Sequence, residues 1–451
     1  MIKKAIAYAA AMGVLCSGAS AEGLLFSPGD DLRFNWASFD GFALRHNLSG
    51  QELSVFGPWR GEDKILFESV LAYFTAATGA VVDYASSEHY ESQIVIDTSS
   101  GSPADITILP QPGLIADLAA KGFLAPLGNK TQDWLAQNYA APDSWINLGT
   151  FKGKDGTPAL YAFPYKAELK SLVWYVPENF ADAGYRVPQS MEALQKLTDQ
   201  IAADGGTPWC IGLGSGGATG WPATDWVEDF LLRQQSPEVY DQWVTNKIAF
   251  DDPRILAAID GFGDFARNDS YVDGGAAAVA VTDFRDSAKG LFRSPPKCYL
   301  HRQASFIPSY FPEGTELGRD VDFFYFPAYA DKDLGQPVLG SGTLAMITRD
   351  TPAARAFIEF LQTPIAHEIW MAQSSFLTPL KSVNPEAYAN DTMRKQGKIL
   401  ANATLFRFDG SDLMPGKIGA GVFWEAMVDY AGGASAAEAA GSVQAAWDAL
   451  K

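Results

Sequence analysis

Leu53-Ser-Val-Phe-Gly-Pro-Trp-Arg-Gly-Glu-Asp-Lys64 opens a strand and closes it within a few residues. Pro58 has no N–H to give a sheet ladder, so the apolar run Leu53–Phe56 ends at Gly57. A helix follows, with Leu66, Val70, Leu71 and Phe74 at helical spacing and Gly79 to stop it. A strand over Ala80–Tyr84, a helix near Tyr90–Thr98, a strand over Asp105–Leu109 and a short helix from Gly113 to Ala120, ending at Gly122, continue the alternation. This order and spacing predict a parallel sheet with right-handed crossovers. Ligands of such sheets bind beyond the carboxyl ends of the strands, where Trp59, Arg60, Glu62 and Asp63 follow the first one. An indole face beside charged donors and acceptors suits a sugar, which has an apolar C–H face and a hydroxyl rim. An exposed turn carrying a surface Trp is the competing reading.

Beyond Tyr161 the pattern shifts. Phe163-Pro-Tyr-Lys-Ala-Glu168 runs into a strand over Ser171–Val176, as a chain would in crossing from one lobe to another. Helix Ser190–Ala203, strand Trp209–Leu213 and helix Trp226–Gln234 predict a second α/β unit. Pro337–Ile347 reads as a long apolar strand, Thr351–Gln362 as a helix and Phe376–Ser382 as another crossing. Gly421–Tyr430 and Ala434–Leu450 read as helices.

Met1 to Ala21 has the layout of a cleaved secretory signal. Lys3 and Lys4 precede an apolar stretch too short to span a membrane, and Ala19-Ser-Ala21 supplies the small cleavage residues. Cys16 does not make a lipoprotein site, because Leu15 stands where a small residue is needed. Loss of the two lysines takes the formal charge from −19 to −21. A surface this acidic argues against nucleic acid and anionic lipid as partners. Hydrophobic content of 47% is ample for large cores, and about 430 mature residues exceed what one core usually holds, so two lobes are expected. Cys210 and Cys298 remain after export, and an oxidising compartment favours their pairing; two separate buried thiols are the alternative.

Motifs of covalent chemistry are missing: there is no Gly-x-Ser-x-Gly and no phosphate loop, and the four histidines lack a paired metal spacing. No metal or cofactor is therefore expected. Gly212-x-Gly-x-x-Gly217 fits a dinucleotide fingerprint but does not lead directly into a helix, and reads as a turn where a ligand approaches backbone. A glycosidase would need two facing carboxylates, and Glu168 and Asp412 are the acids to test first.

Leu53–Asp63, Ser102-Pro-Ala-Asp-Ile106, Ala167-Glu-x-x-Ser-Leu172 and Leu380-Lys-Ser382 together resemble the extracellular sugar-binding components of ABC transporters, of which the maltose-binding protein is the best known. Asp412-Leu-Met-Pro415 with Phe423-Trp424 resembles that family's last pocket segment at the same spacing, and the likeness runs in order over about residues 52–451. Within the family, Gly57-Pro-Trp59 and Asp412-Leu-Met-Pro415 most resemble the α-glucoside-binding components.

The resemblance implies a type II periplasmic binding protein fold: two open α/β sheets with flanking helices, joined by a multi-strand hinge. It implies a first lobe of 52–165 plus about 336–377, a second of 166–335 plus about 378–451, and an N-terminal extension, 22–51, packed on the first. Glu168 would accept sugar hydroxyls at the hinge and Trp424 would stack on a ring. Trp59, Arg60 and Glu62, Ser87 and Glu88, and Gln111 would line the first lobe's side. Phe284 with Arg285 would substitute for an aromatic the family presents from the second lobe. Trp221-Pro222 and Asp225-Trp226 could meet the sugar, the indoles stacking on it, or merely fix their loop, and Arg407 and Asp409 could be pocket groups or surface charges. The function expected is capture of an α-glucoside, such as trehalose, sucrose or maltose, in the periplasm, by a monomer that delivers it to the permease of an ABC importer. An exported glycosidase and a receptor for a non-sugar solute such as a polyamine are the alternatives.

Overall fold

The computed structural model of the protein describes residues 24–450 apart from 141, 375, 403 and 404. The signal sequence expected over Met1–Ala21, with Cys16, lies outside the described residues. No helix among those described is long and apolar enough to cross a membrane.

One six-stranded sheet organises the first lobe. Glu52–Phe56 runs parallel to Val81–Ala85 on one side and to Ile106–Leu109 on the other. Leu53 and Val55 point into the core while their neighbours are more accessible, the period-two pattern of a strand with one covered face. Ile106–Leu109 is buried on both faces. Between the first two strands, helix Glu62–Thr78 begins on Glu62 and Asp63, whose charges suit the positive end of the helix dipole. It buries Leu66, Phe67, Val70 and Phe74, and ends on Gly79 at φ 76°, a conformation glycine adopts without strain.

The crossings lie in the middle of this sheet. Pro337–Ile347, buried along its whole length, pairs antiparallel with Ile106–Leu109 and with Ala162–Leu169, and parallel with Leu405–Phe408. In Ala162–Leu169, Tyr165, Ala167 and Leu169 enter the first lobe's core, so Lys166 and Glu168 must face the other way, into the cleft. The chain leaves at Lys170-Ser171 and continues as Leu172–Tyr175, the central strand of a three-stranded antiparallel sheet with His301–Arg302 and Asp322–Tyr325. Helices around Trp226, Phe230, Phe262 and Phe265 complete the second lobe. Ser435 and Glu438 form a reciprocal capping box at the start of the last helix, Ala436–Asp448.

Three expectations need correction. Trp209–Leu213 is not a strand: Trp209 bridges singly to Val272 and Leu300, and Leu213 donates to Val279, so successive residues meet different loops. Phe376–Ser382 does not cross; Leu377 pairs with Ala167 and Leu380 with Tyr139, and Leu380, Ala387 and Met393 join the core that contains Trp59. The Gly212 and Gly214 positions admit the chain's own backbone rather than a ligand: a Cβ there would lie 2.7 and 3.0 Å from the Thr282 carbonyl oxygen.

Cys210 and Cys298 form a disulfide across a sequence separation of 88, with Cα atoms 5.5 Å apart. At the N-terminus, helix Trp36–Ala43 is tied to the first lobe where the Asn35 N–H donates to Glu368 Oε2 at 2.6 Å. Tyr73 and Phe26 exchange hydrogen bonds at 2.8 Å nearby.

Candidate functional site: a closed cleft between the lobes

A cavity with about 860 Å³ of empty space, its mouth to solvent included, lies between the lobes. Its floor is the crossing strands: Lys166, Glu168 and Lys170 from one, Ser341, Gly342 and Thr343 from the antiparallel partner. The first lobe contributes Trp59, Asp63, Tyr90, Glu91 and Gln111 from the loops and helix starts after its first three strands. The second contributes Trp221, Phe284, Arg285, Phe306, Tyr310, Asp412 and Trp424.

The lobes touch directly. Tyr310 Oη donates to Asp63 Oδ2 at 2.9 Å, and the Gly217 N–H donates to the Glu88 carbonyl at 3.2 Å. Gly113, near the start of helix Pro112–Lys121, lies so close to the second lobe that a Cβ there would fall 1.6 Å from the Met414 carbonyl oxygen.

Ten of the residues anticipated from the sequence line this cavity: Trp59, Asp63, Gln111, Glu168, Trp221, Phe284, Arg285, Asp409, Asp412 and Trp424. Six do not. Arg60 and Glu88 pair with each other at 2.7 Å, both largely exposed, and Ser87 accepts from the His89 N–H at 3.0 Å. Glu62 faces solvent on the first turn of its helix. Arg407 is drawn away by Asp241, at 2.7 and 2.9 Å. Asp225 is buried beneath the wall. Trp59 itself is only 6% exposed and packs on Phe67 and Trp370, with centroids 4.5 and 5.0 Å away, so most of the indole belongs to the core.

The floor is charged, and its charges are held by the chain. Lys166 donates to Glu168, and Ser305 Oγ donates to the same carboxylate at 2.9 Å. Burial raises the Glu168 pKa while Lys166 pulls the other way. Lys170 donates to Asp225 at 2.7 Å and to Asp409, and its ammonium lies 5.3 Å from the centre of the Trp221 ring. Asp225, Glu228 and Asp409 each present an oxygen, all within 4.8 Å of one another. Such a trio could ligate a divalent cation, but Lys170 already supplies the positive charge. Burial raises Glu228 and Asp412, with the Asp409 charge adding to it, and lifts Asp225 to about 7 against the pull of Lys170. For Asp409, burial is outweighed by Lys170 and hydrogen bonds, which bring it to about 2. The one lysine charge thus holds Asp409 ionised most firmly, while Asp225, Glu228 and Asp412 are held above the ordinary carboxylate range.

Behind it, Asp229 accepts from Arg302 at 2.6 Å, from Ser171 at 2.8 Å and from Arg233. This fully buried carboxylate is thereby compensated by two guanidiniums.

Several buried polar atoms around the cavity lack a partner among the described residues: Asp63 Oδ1, Gln111 Oε1, Thr343 Oγ1 and Trp424 Nε1. Other such atoms lie elsewhere in the protein, but these four belong to residues that a polar ligand in the cavity would adjoin. Tyr90, Glu91, Lys166, Lys170, Phe306 and Tyr310 were not anticipated as lining residues. A helical signal existed for Asp63, which lies one residue beyond Glu62 and so turns about 100° around the axis. Tyr310 had no comparable signal, since the loop that carries it has no strong pattern.

Two α/β lobes closed over a cleft floored by crossing strands define the type II periplasmic binding fold. Solved structures agree: the bacterial solute receptor AcbH, whose description gives it a preference for β-D-galactopyranose, superposes with a TM-score of 0.76 at 17% identity, covering 89% of this chain and 100% of that one. Maltose-bound MalE3 of T. maritima superposes at 0.68 with 14% identity, over 89% and 100%. Residues 62–368 match the bacterial extracellular solute-binding proteins, and the chain belongs to that family. It is 68% identical over 432 residues to the alpha-glucosides-binding periplasmic protein AglE of Rhizobium meliloti, covering 96% of this chain and 94% of that one. It is 39% identical over 398 residues to the osmoprotective compounds-binding protein GgtB of Synechocystis, covering 88% and 92%.

Proposed function

We propose that this chain is a periplasmic receptor for α-glucosides of disaccharide size, such as trehalose, sucrose or maltose, and that it passes them as a monomer to the permease of an ABC importer. The unpartnered polar atoms around the closed cleft carry the reading: sugar hydroxyls would satisfy Asp63, Gln111, Thr343 and Trp424 at once. The 68% identity to an α-glucoside-binding relative supports the choice of sugar. Trp221, Phe284 and Phe306, whose rings pack within 6.1 Å of one another, would give its C–H faces an apolar wall. No bond is made or broken in this role. Selectivity comes from mispaired hydroxyls, because each unsatisfied buried polar group costs about 1–3 kcal/mol.

Isothermal titration of the mature protein with trehalose, sucrose and maltose tests this. Saturable binding of at least one is expected. Trp424→Phe, which keeps the ring and removes the N–H, should weaken that sugar about 5- to 150-fold. Binding of spermidine and of no α-glucoside would overturn the sugar reading. Release of glucose from the bound disaccharide would replace a receptor with a glycosidase.

A further inference from the structure

Carboxyl groups from both lobes come close to one another at one end of the cleft. Glu91 and Asp412 reach it from opposite lobes, with Gln111 beside Glu91 and Asp409 beside Asp412. Gln111 turns its amide nitrogen back towards Tyr90 Oη and Glu91 Oε1, both at 3.4 Å, so that its carbonyl oxygen is left without a partner at the cavity wall. Gln111 is 4% exposed and Asp412 6%. Asp63 adds another unpartnered acceptor, Oδ1, to the lining. A neutral disaccharide could donate hydroxyls to these groups, but acceptors gathered this densely suit a positively charged donor better.

The charge balance points the same way. The lining carries Asp63, Glu91, Glu168, Asp409 and Asp412 against Lys166, Lys170 and Arg285. Lys166 is engaged by Glu168, Lys170 by Asp225 and Asp409, and Arg285 by Asp283 at 3.2 Å. Lys170, already shared by Asp225 and Asp409, also acts on Asp412, and no ion pair among the described residues reaches Glu91. Resting on the reading of the cleft as a sugar site, we propose that this end takes the ammonium group of an amino-substituted α-glucoside, one carboxyl proton leaving to solvent as the ammonium enters. The exchange balances: one positive charge arrives with the ligand and one departs as a proton, while the ligand's covalent bonds are untouched.

The groups facing the exchanged proton are few. Asp412 faces Asp409, Lys170, Asp225 and Glu91, and Glu91 faces Tyr90 and Gln111. Burial pushes the Glu91 pKa up to about 7, opposed by hydrogen bonds from Tyr90 and Gln111, and burial with the Asp409 charge holds Asp412 well above the usual carboxylate range. Glu91 therefore exchanges its proton near neutral pH, and Asp412 is shifted in the same direction.

The test compares trehalose with 6-amino-6-deoxytrehalose and 2-amino-2-deoxytrehalose by isothermal titration, in buffers of differing ionisation heat, between pH 5.5 and 7.5. At least one amine should bind at least tenfold more tightly than trehalose at pH 7.5, release about one proton, and lose that advantage towards pH 5.5. Asp412→Asn and Glu91→Gln should each shrink the ratio of amine to trehalose affinity, and at least one of them should abolish the proton release. A purely structural carboxyl would change both affinities together and leave the proton count alone. Trehalose binding with both amines weaker or pH-independent overturns this inference and leaves the receptor assignment standing. Failure of trehalose, sucrose and maltose alike removes the receptor assignment instead.

Discussion

Removing one oxygen should hold the cleft open. Tyr310 donates across the cleft to Asp63 Oδ2 at 2.9 Å, while Asp63 Oδ1 has no partner among the described residues. In Tyr310→Phe the ring remains packed on Phe284, 5.8 Å away between centroids, and beside the Arg285 guanidinium. The bond to Asp63 is lost, together with the hydroxyl's interaction with Arg285. A hydrogen bond to a charged group contributes about 1.5–3 kcal/mol, and the buried carboxylate is then left without that donor. When the lobes part, Asp63 regains water, so the cost falls on the closed form alone. Ligand affinity should therefore drop about 10- to 150-fold while the melting temperature of the ligand-free protein moves little. Calorimetry measures the first quantity, thermal denaturation the second, and small-angle scattering with saturating ligand reports whether the lobes still close. Affinity within twofold of the parent, or a loss matched by equal destabilisation of the ligand-free chain, would refute the latch.

Other perturbations probe different parts of the same machinery. Gly113→Ala places a Cβ 1.6 Å from the Met414 carbonyl oxygen, so titration should show ligand binding weakened more than tenfold. Lys170→Met leaves Asp409 and Asp225 without their cation, and chemical denaturation should report a loss of about 3–5 kcal/mol. Glu91 has a folded pKa of about 7 against an ordinary 4.5, so the folded chain binds the extra proton. Its contribution is fully present below about pH 4.5 and is lost as pH rises towards 7. Melting curves of Glu91→Gln should therefore fall less steeply over that window than those of the parent. Reducing the Cys210–Cys298 disulfide, whose partners are 88 residues apart, should cost about 4–5 kcal/mol in the chain-entropy model, read as a lowered urea midpoint.

The local grammar of the first lobe was legible because its determinants are local. Pro58 ends a strand wherever it occurs, and Gly79 and Gly122, at φ 76° and 78°, stop helices for a reason contained in one residue. Glu168 could be placed at the cleft through the resemblance carried by Ala167-Glu-x-x-Ser-Leu172, and in the structure strand alternation sets it on the same face as Lys166. The charge network could not be read in the same way. Lys170 finds Asp409 239 residues away, a partnership no local pattern encodes. Arg60 and Glu62 show the opposite error: they flank a strand end, yet Arg60 turns to Glu88 and Glu62 to solvent. Proximity to a strand end fixes a neighbourhood but not a direction. Trp209–Leu213 has strand composition, but its residues meet several loops in turn, and a ladder needs one continuous neighbour.

The Lys170 ammonium, seated among Asp225, Glu228 and Asp409, has a consequence for how such a receptor meets its surroundings. A cation tethered to the backbone is present once per molecule at every dilution and in every medium. It cannot be stripped by a chelator or exchanged for another ion when the composition outside the cell changes. The junction between the lobes thus carries its own counter-ion, made at the same moment as the carboxylates it serves. Its replacement by an uncharged side chain would turn a self-sufficient joint into one dependent on whatever divalent ion the environment supplied.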